Sequence, residues 1–268
     1  MTLPSSTTRL RAAALLMAVA VAPLRADLTY VMKTEAHAST VPAPPSTNPM
    51  LAMLGGIVVG TIVPPGGIRM TVIVGEHGTR IQYDSDYLGV PAGGAMLIGP
   101  DGASVIVNPA TRTYWTAAKL DSGMIGLTLN PSVEMHATGE RATIAGARAD
   151  RSTFEVRVAL PSPSGGGLPG LPPDLALSGE VWLSPLYARY VKLMPALAGG
   201  LALFGGDKIA ASGFPMRSVL RGELFAGQEI ESVVTSIAEA TVPEAAFHVP
   251  PDYTETPPPG RLPSAMGR

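Results

Sequence analysis

The chain contains no cysteine. That removes a disulfide framework, a thiolate metal site and lipid anchoring through an N-terminal cysteine, so the folded state must rest on its core alone. Charge is sparse, at 15% of the 268 residues, and the formal net charge is −2. A chain this close to neutral carries no basic footprint for nucleic acid, and a nucleic-acid partner is excluded on that ground. Aromatic residues make up only 5%. Long apolar runs are short of membrane-spanning length, which needs roughly twenty residues.

What is present in quantity is small and apolar residues: 46% are hydrophobic, with 30 glycines and 27 prolines. High apolar content with low charge describes a packed chain rather than a disordered one. The N-terminus sets Arg9 and Arg11 before an apolar run over residues 12–22 and closes with Pro23, Leu24, Arg25 and Ala26. A basic start, a short apolar core and a small final residue read as a secretory signal peptide over residues 1–26. Its removal leaves 16 basic against 21 acidic residues, a net of −5. The address implied is periplasmic or secreted.

From residue 28 onward the dominant pattern is alternation. Leu28, Tyr30 and Met32 alternate against Thr29, Val31 and Lys33, which describes a first strand. Hairpins follow over 68–83 and 95–107, the second turning at Gly99, Pro100, Asp101 and Gly102. Further strand patterns occupy 113–117, 133–145, 151–160 and 178–183. The stretch 213–253 holds two more strand-forming runs joined across Ala226 and Gly227, and Pro243, Pro250 and Pro251 end the second. In that second run Ile230, Val234 and Ala238 share one side, opposite Val233, Thr235 and Ile237. Turns recur about every ten residues, as in an antiparallel meander.

Two stretches break the pattern. Residues 49–67 form an insertion whose apolar run, MLAMLGGIVVGTIV, is read as packing on the core. A flap over a cavity and a membrane-touching loop are the sharper alternatives. From Ser184 a helix is expected: Ser184 can cap it, Pro185 suits its first position, and Leu186, Tyr190, Leu193 and Leu197 fall on one stripe. Residues 162–173 form a Gly/Pro-rich connection with strands of like character on both sides, so 27–253 is one domain. Residues 254–268 are expected to be a disordered tail.

No nucleophile elbow, phosphate loop, zinc-protease helix or dinucleotide fingerprint occurs, so no catalytic residue, metal ligand or cofactor is assigned and the chain is read as a non-enzyme. His37, His77, His136 and His248 are scattered singly. Glu134 with His136 lacks a nucleophile and an orienting group, and Asp84 with Asp86 describes a polar loop. The fold class is mainly β (α+β): an antiparallel sheet curved into an open half-barrel with one or two covering helices. A concave face lined by Met70, Val72, Phe154, Val156, Trp182 and Tyr190 would suit an apolar ligand, and the same residues could equally fill a solid core.

The phrases GIRMTVIVGEHGTRIQYD, MLIGPDGASVIVNPATRTYW, GERATIAG, SGEVWLSP, GFPMRSVL and TSIAEATVPEAAFHVPPDY occur in that order. With the signal peptide ahead of them, they resemble an exported bacterial domain family of unknown function related to the LolA-like and LppX-like carriers of the bacterial envelope. The resemblance implies a half-barrel whose apolar face holds a lipid or a lipoprotein acyl chain, and it brings no catalytic residues. The expected partner is an apolar small molecule, lipid or lipoprotein, with no permanent membrane span and with another envelope protein as a further partner. The alternative is a non-catalytic periplasmic scaffold with a filled core.

Overall fold

A computed structural model describes residues 26–39, 56, 59–60, 63–87, 89–117, 131–159, 174–194, 211–225 and 227–259. The alternation of the sequence is realised as one twelve-stranded sheet: β1 Asp27–Ala38, β2 Ile68–Gly75, β3 Gly78–Tyr83, β4 Ala95–Ile98, β5 Ser104–Asn108, β6 Thr113–Thr116, β7 Pro131–Ile144, β8 Ala147–Ala159, β9 Asp174–Ser184, β10 Phe214–Gly222, β11 Gln228–Ala240 and β12 Thr254–Glu255. Their spatial order is β12-β6-β5-β4-β3-β2-β1-β11-β10-β9-β8-β7. The first strand is therefore central. One meander, β2 to β6, grows outward from it, and a second runs inward from the far edge, β7 to β11, and docks on its other side. Every pairing is antiparallel except that of β12 with β6.

The two ends of the sheet are not paired with each other, so it is a large, open, curved sheet and not a closed barrel. Three irregularities of register help to bend it: Val31/Met32 against β11, Pro215/Arg217 against β9, and Ala137/Arg141 against β8. An extra residue in one strand raises the local twist and flips the alternation beyond it. Thr235 is that residue in β11, between Val234 facing Met32 and Ser236 facing Val31. Consequently Ile237 faces Tyr30 and packs against the same cluster as Val234. The strict alternation read from the sequence put these two side chains on opposite sides; the bulge is the physical reason they meet.

The predicted helix is much reduced. A 3₁₀ turn, Pro185–Tyr187, runs into a single α-helical turn, Ala188–Val191. Leu197 of the expected stripe lies outside the described residues, as do the signal segment 1–25 and the connection 162–173. Ser184 makes no side-chain capping bond; its hydroxyl is fully buried at the end of β9. The expected stripe is divided too, because Tyr190 is 2% exposed while Leu186 is 64% and Leu193 36% exposed. The short turn begins as 3₁₀, which rotates side chains by a third of a circle per residue rather than 100°. Tyr190 anchors it: its hydroxyl donates to the Ala26 carbonyl at 2.7 Å and accepts from Arg189 at 2.9 Å.

At the head of the segment expected to be disordered, Thr254 and Glu255 instead extend the sheet beside β6. The chain reaches that edge over the 3₁₀ turn Glu244–Phe247, where Phe247 is buried, and past Val249 and Tyr253, which pack on Ala95, Leu97 and Val107. Arg80 Nη1 donates to the Ala246 carbonyl at 3.2 Å and ties this strap to β3.

Close packing leaves Gly179 no room for a side chain. A Cβ there would collide with the Val219 carbonyl oxygen of β10 and with the ring of Phe154 on β8. Gly179→Ala is expected to cost about 2–4 kcal/mol, as overpacking against rigid backbone does. Urea denaturation should show a lower midpoint with an unchanged slope; a midpoint equal to wild type would contradict this packing.

Candidate functional site

Register sorts the side chains of β7 to β11 and β1 onto two faces. Phe154 stands opposite Gly179 and Met135, and Val156 opposite Leu177 and Val133. Gly179 faces Leu220, Leu220 faces Ile230, and Ile230 faces Ala36. These residues form one apolar face, and the cluster on it includes Val59, Val63, Leu183 and Phe225. Val59 and Val63 belong to the apolar insertion, and the Val63 N–H bonds the Val59 carbonyl at 2.7 Å. The i, i+4 spacing places both on one helical side, and both are buried. Val59 and Val63 thus pack into that cluster.

Beside this cover lies a recess of about 420 Å³, lined by Glu35, Ala36 and His37 of β1, by Gly56, Val59, Gly60, Val63 and residues 64–67, and by Phe225 and Gln228. It opens where β2 stops. β1 pairs with β2 only as far as Thr34 opposite Ile68, yet continues along β11 to Ala38 opposite Gln228. A second recess, about 490 Å³, lies at the other end of the sheet between Val90, Pro91, Trp115 and Pro257.

The six residues expected to line one concave wall divide between two buried clusters, Met70, Val72, Trp182 and Tyr190 in one and Phe154 and Val156 in the other. Phe154 and Val156 lie on the apolar face, buried beneath the insertion's cluster. Met70 and Val72 pack with Tyr30 and Tyr190 in a different cluster across β1 and β2. Trp182 stands opposite Arg151 and Arg217, so alternation turns it to the other face from Phe154. There its ring lies between two guanidinium groups, at 5.3 Å from Arg151 and 4.6 Å from Arg217. None of the six lines the recess. Val59 and Val63, which do, carry a readable signal in the apolar spacing of the insertion; their meeting with Phe225, which also lines it, depends on the β10 to β11 link.

The face that holds Trp182 carries an ionic belt beside its buried cluster. Arg151 bonds Glu140 at 2.6 Å and Glu180 at 2.7 Å; Arg221 bonds Glu180 at 2.9 Å and Glu229 at 2.8 Å; Arg217 bonds Glu231 at 2.6 Å. The row ends on β1, where His37 Nε2 lies 3.8 Å from Glu231. Sequence reading missed this belt, since its partners lie up to 41 residues apart and pair only through the sheet. Burial pushes the Glu180 carboxyl upward, but the hydrogen bonds and charges of Arg221 and Arg151 outweigh it and hold the group below the usual carboxylate range. Tyr83, buried at the other end of the sheet and beside Tyr87, is pushed up to about 12, first by burial.

The remaining sequence candidates take ordinary roles. Asp84 pairs with Arg69 at 3.5 Å, and Asp86 Oδ1 accepts the Ala92 N–H at 2.7 Å. Glu244 sits between His77 at 3.7 Å and His248 at 3.4 Å on the strap. Glu134 and His136 are exposed on β7. Among the described residues no three His, Asp or Glu side chains are grouped to hold a metal ion, and no helix is long and apolar enough to cross a membrane.

No family model matches the chain, and no curated protein matches it. Among solved structures it is similar to a LolA superfamily protein from Nitrosomonas europaea, at 10% identity and a TM-score of 0.32, over 84% of this chain and 91% of that one.

The belt generates a pH dependence. A carboxyl held below its unfolded value stabilises the fold fully above that value, and the contribution is lost as pH falls through the folded one. Stability should therefore decline below about pH 4.5, the ordinary value for Glu180. Glu180→Gln should flatten that decline and cost about 1–2 kcal/mol at neutral pH, because Arg151 and Arg221 lose a shared charged partner. Thermal melts of both proteins from pH 3 to 7 check this; parallel curves would refute it.

Proposed function

We propose that the protein is an exported envelope protein that binds or carries an apolar ligand, a lipid or an acyl chain, against the apolar face of its open sheet. The observation that carries this reading is the recess beside the insertion. It is a concavity of about 420 Å³ that adjoins the cluster of Val59, Val63, Phe225 and Ile230, within the size range of small-molecule sites, about 300–1,000 Å³. Its walls come from Gly56, Val59, Gly60 and Val63 and from the end of β1, where β2 leaves a gap. The reading agrees with what the sequence resemblance implies.

The energetics suffice without a charged anchor. Each buried methylene contributes about 0.8 kcal/mol, so ten contribute about 8 kcal/mol, the scale of a micromolar complex before ordering costs are subtracted. Export rests on the signal-peptide pattern at residues 1–26. The scaffold alternative is favoured by a separate observation: Phe154 and Val156, the anticipated lining, are buried in a filled cluster. The two readings differ in whether the recess beside that cluster takes a guest.

Native mass spectrometry of the protein purified from its own envelope should show a discrete added mass that extracts into organic solvent as lipid. Val63→Asp, which places a charge in the recess wall, should lower that occupancy at least tenfold while the fold melts cooperatively. A bare mass, with no uptake of a fluorescent fatty acid by the wild type, would leave the scaffold reading in front.

A further inference from the structure

The edge of the sheet at β6 is occupied by the chain's own tail, and the way the tail is held shows what the edge can take. The Thr254 N–H donates to the Arg112 carbonyl at 3.0 Å and the Thr256 N–H to the Tyr114 carbonyl at 2.8 Å, so the tail runs parallel to β6 and bonds it at every second residue. The next donor in that series is residue 258, level with Thr116, and it is proline, which has no N–H. Pairing therefore stops after two residues, short of the end of β6. An ion pair alongside, Arg112 with Asp252 at 3.4 Å, has both side chains more than half exposed and adds little.

Where the main-chain bonds end, side chains take over. Pro257 and Pro259 wall the recess of about 490 Å³ together with Val90, Pro91, Asn108 and Trp115. An extended segment followed by prolines and set beside an aromatic ring combines two recurring modes of peptide recognition: strand addition at a sheet edge, and docking of a polyproline segment on an aromatic-lined groove. The tail does not fill the space, since the recess remains beside it and Glu255, Pro257 and Pro259 stay exposed. Apart from the Thr256 hydroxyl, 3.4 Å from the Tyr114 carbonyl, the bonds that seat it are main-chain ones. A second chain with the same two donors and the same prolines meets the same partners.

We infer that the β6 edge and this recess form a groove for an extended Thr/Pro-rich segment of another protein, of the pattern Thr-Glu-Thr-Pro-Pro-Pro, for which residues 254–259 hold the place. The surface lies at the other end of the sheet from the recess beside the insertion, and it stands whether or not that recess takes a lipid. A tethered segment competes at an effective concentration on the order of millimolar, so a free partner gains the groove when the tail is unseated.

The probe is a blocked, fluorescein-labelled peptide, Thr-Glu-Thr-Pro-Pro-Pro, whose anisotropy is followed against the full chain. Thr254→Pro combined with Thr256→Pro deletes both donors of the tail and should raise affinity for the peptide at least tenfold over the wild type. Replacing residues 254–259 by Gly-Ser-Gly-Ser-Gly-Ser should act in the same direction, and it keeps the test open if the first variant does not fold. Against either variant, the peptides Thr-Glu-Pro-Pro-Pro-Pro and Thr-Glu-Thr-Ala-Ala-Ala should each bind at least fivefold more weakly, the first for want of an N–H and the second for want of the prolines. No binding to either variant, equal binding by wild type and variants, or indifference to both peptide changes would overturn the inference. A doubled mass of the variants by light scattering, with no uptake of peptide, would assign the edge to a second copy of this chain and overturn it equally.

Discussion

The pairing of β1 with β11 is the constraint on which the rest of the structure depends. It joins the first strand to one about 200 residues later, from Asp27 opposite Ala240 to Ala38 opposite Gln228. Without it the two meanders would be separate sheets, each with a long raw edge at the middle of the molecule. Closing so long a loop costs entropy that grows only logarithmically with length, and twelve paired residues outweigh it. Side chains reinforce the seam. Asp27 Oδ2 accepts the Val242 N–H at 2.8 Å, and the hydroxyls of Thr34 and Ser232 meet at 2.9 Å. The seam also determines where the recess lies, because β1 runs farther along β11 than along β2.

The two faces of the inner strands divide the physical work. One carries the cluster that includes Val59 and Val63; the other carries the Arg/Glu belt beside a second buried cluster, with Trp182 between its guanidinium groups. Exposed ion pairs contribute little, but Glu180, Arg221 and Glu229 are largely shielded and share partners, so loss of one member strands the others. The belt crosses β8, β9, β10 and β11 and reaches β1 at His37. It thus locks the register of the very strands whose other face holds the insertion. A one-residue slip would exchange the faces and bury the belt.

The sheet's ends are handled differently. At β6 the chain returns upon itself: Phe247, Val249 and Tyr253 cover the outer strands, and β12 occupies the edge. At β7 the bulge between Ala137 and Arg141, with Glu140 and Arg141 engaged by Arg151 and Asp150, interrupts what would be a flat edge. Both are recognised ways to discourage strand addition by a second chain.

By itself the sequence determined the strands other than β12, with boundaries within a few residues, because alternation of Leu28, Tyr30 and Met32 or of Phe154 and Val156 is a local consequence of the pleat. It determined the hairpin turns through Gly and Asp. Only the tertiary structure decided which alternating set meets which. Trp182 is as apolar as Phe154, yet register puts it opposite Arg151 and Arg217. Thr235 as a bulge, the reduction of the expected helix to two turns about Tyr190, and the recess where β2 ends are likewise outcomes of pairing between distant strands. A side chain's face follows from local geometry; its neighbours follow from register, and register is set by contacts that no short stretch of sequence contains.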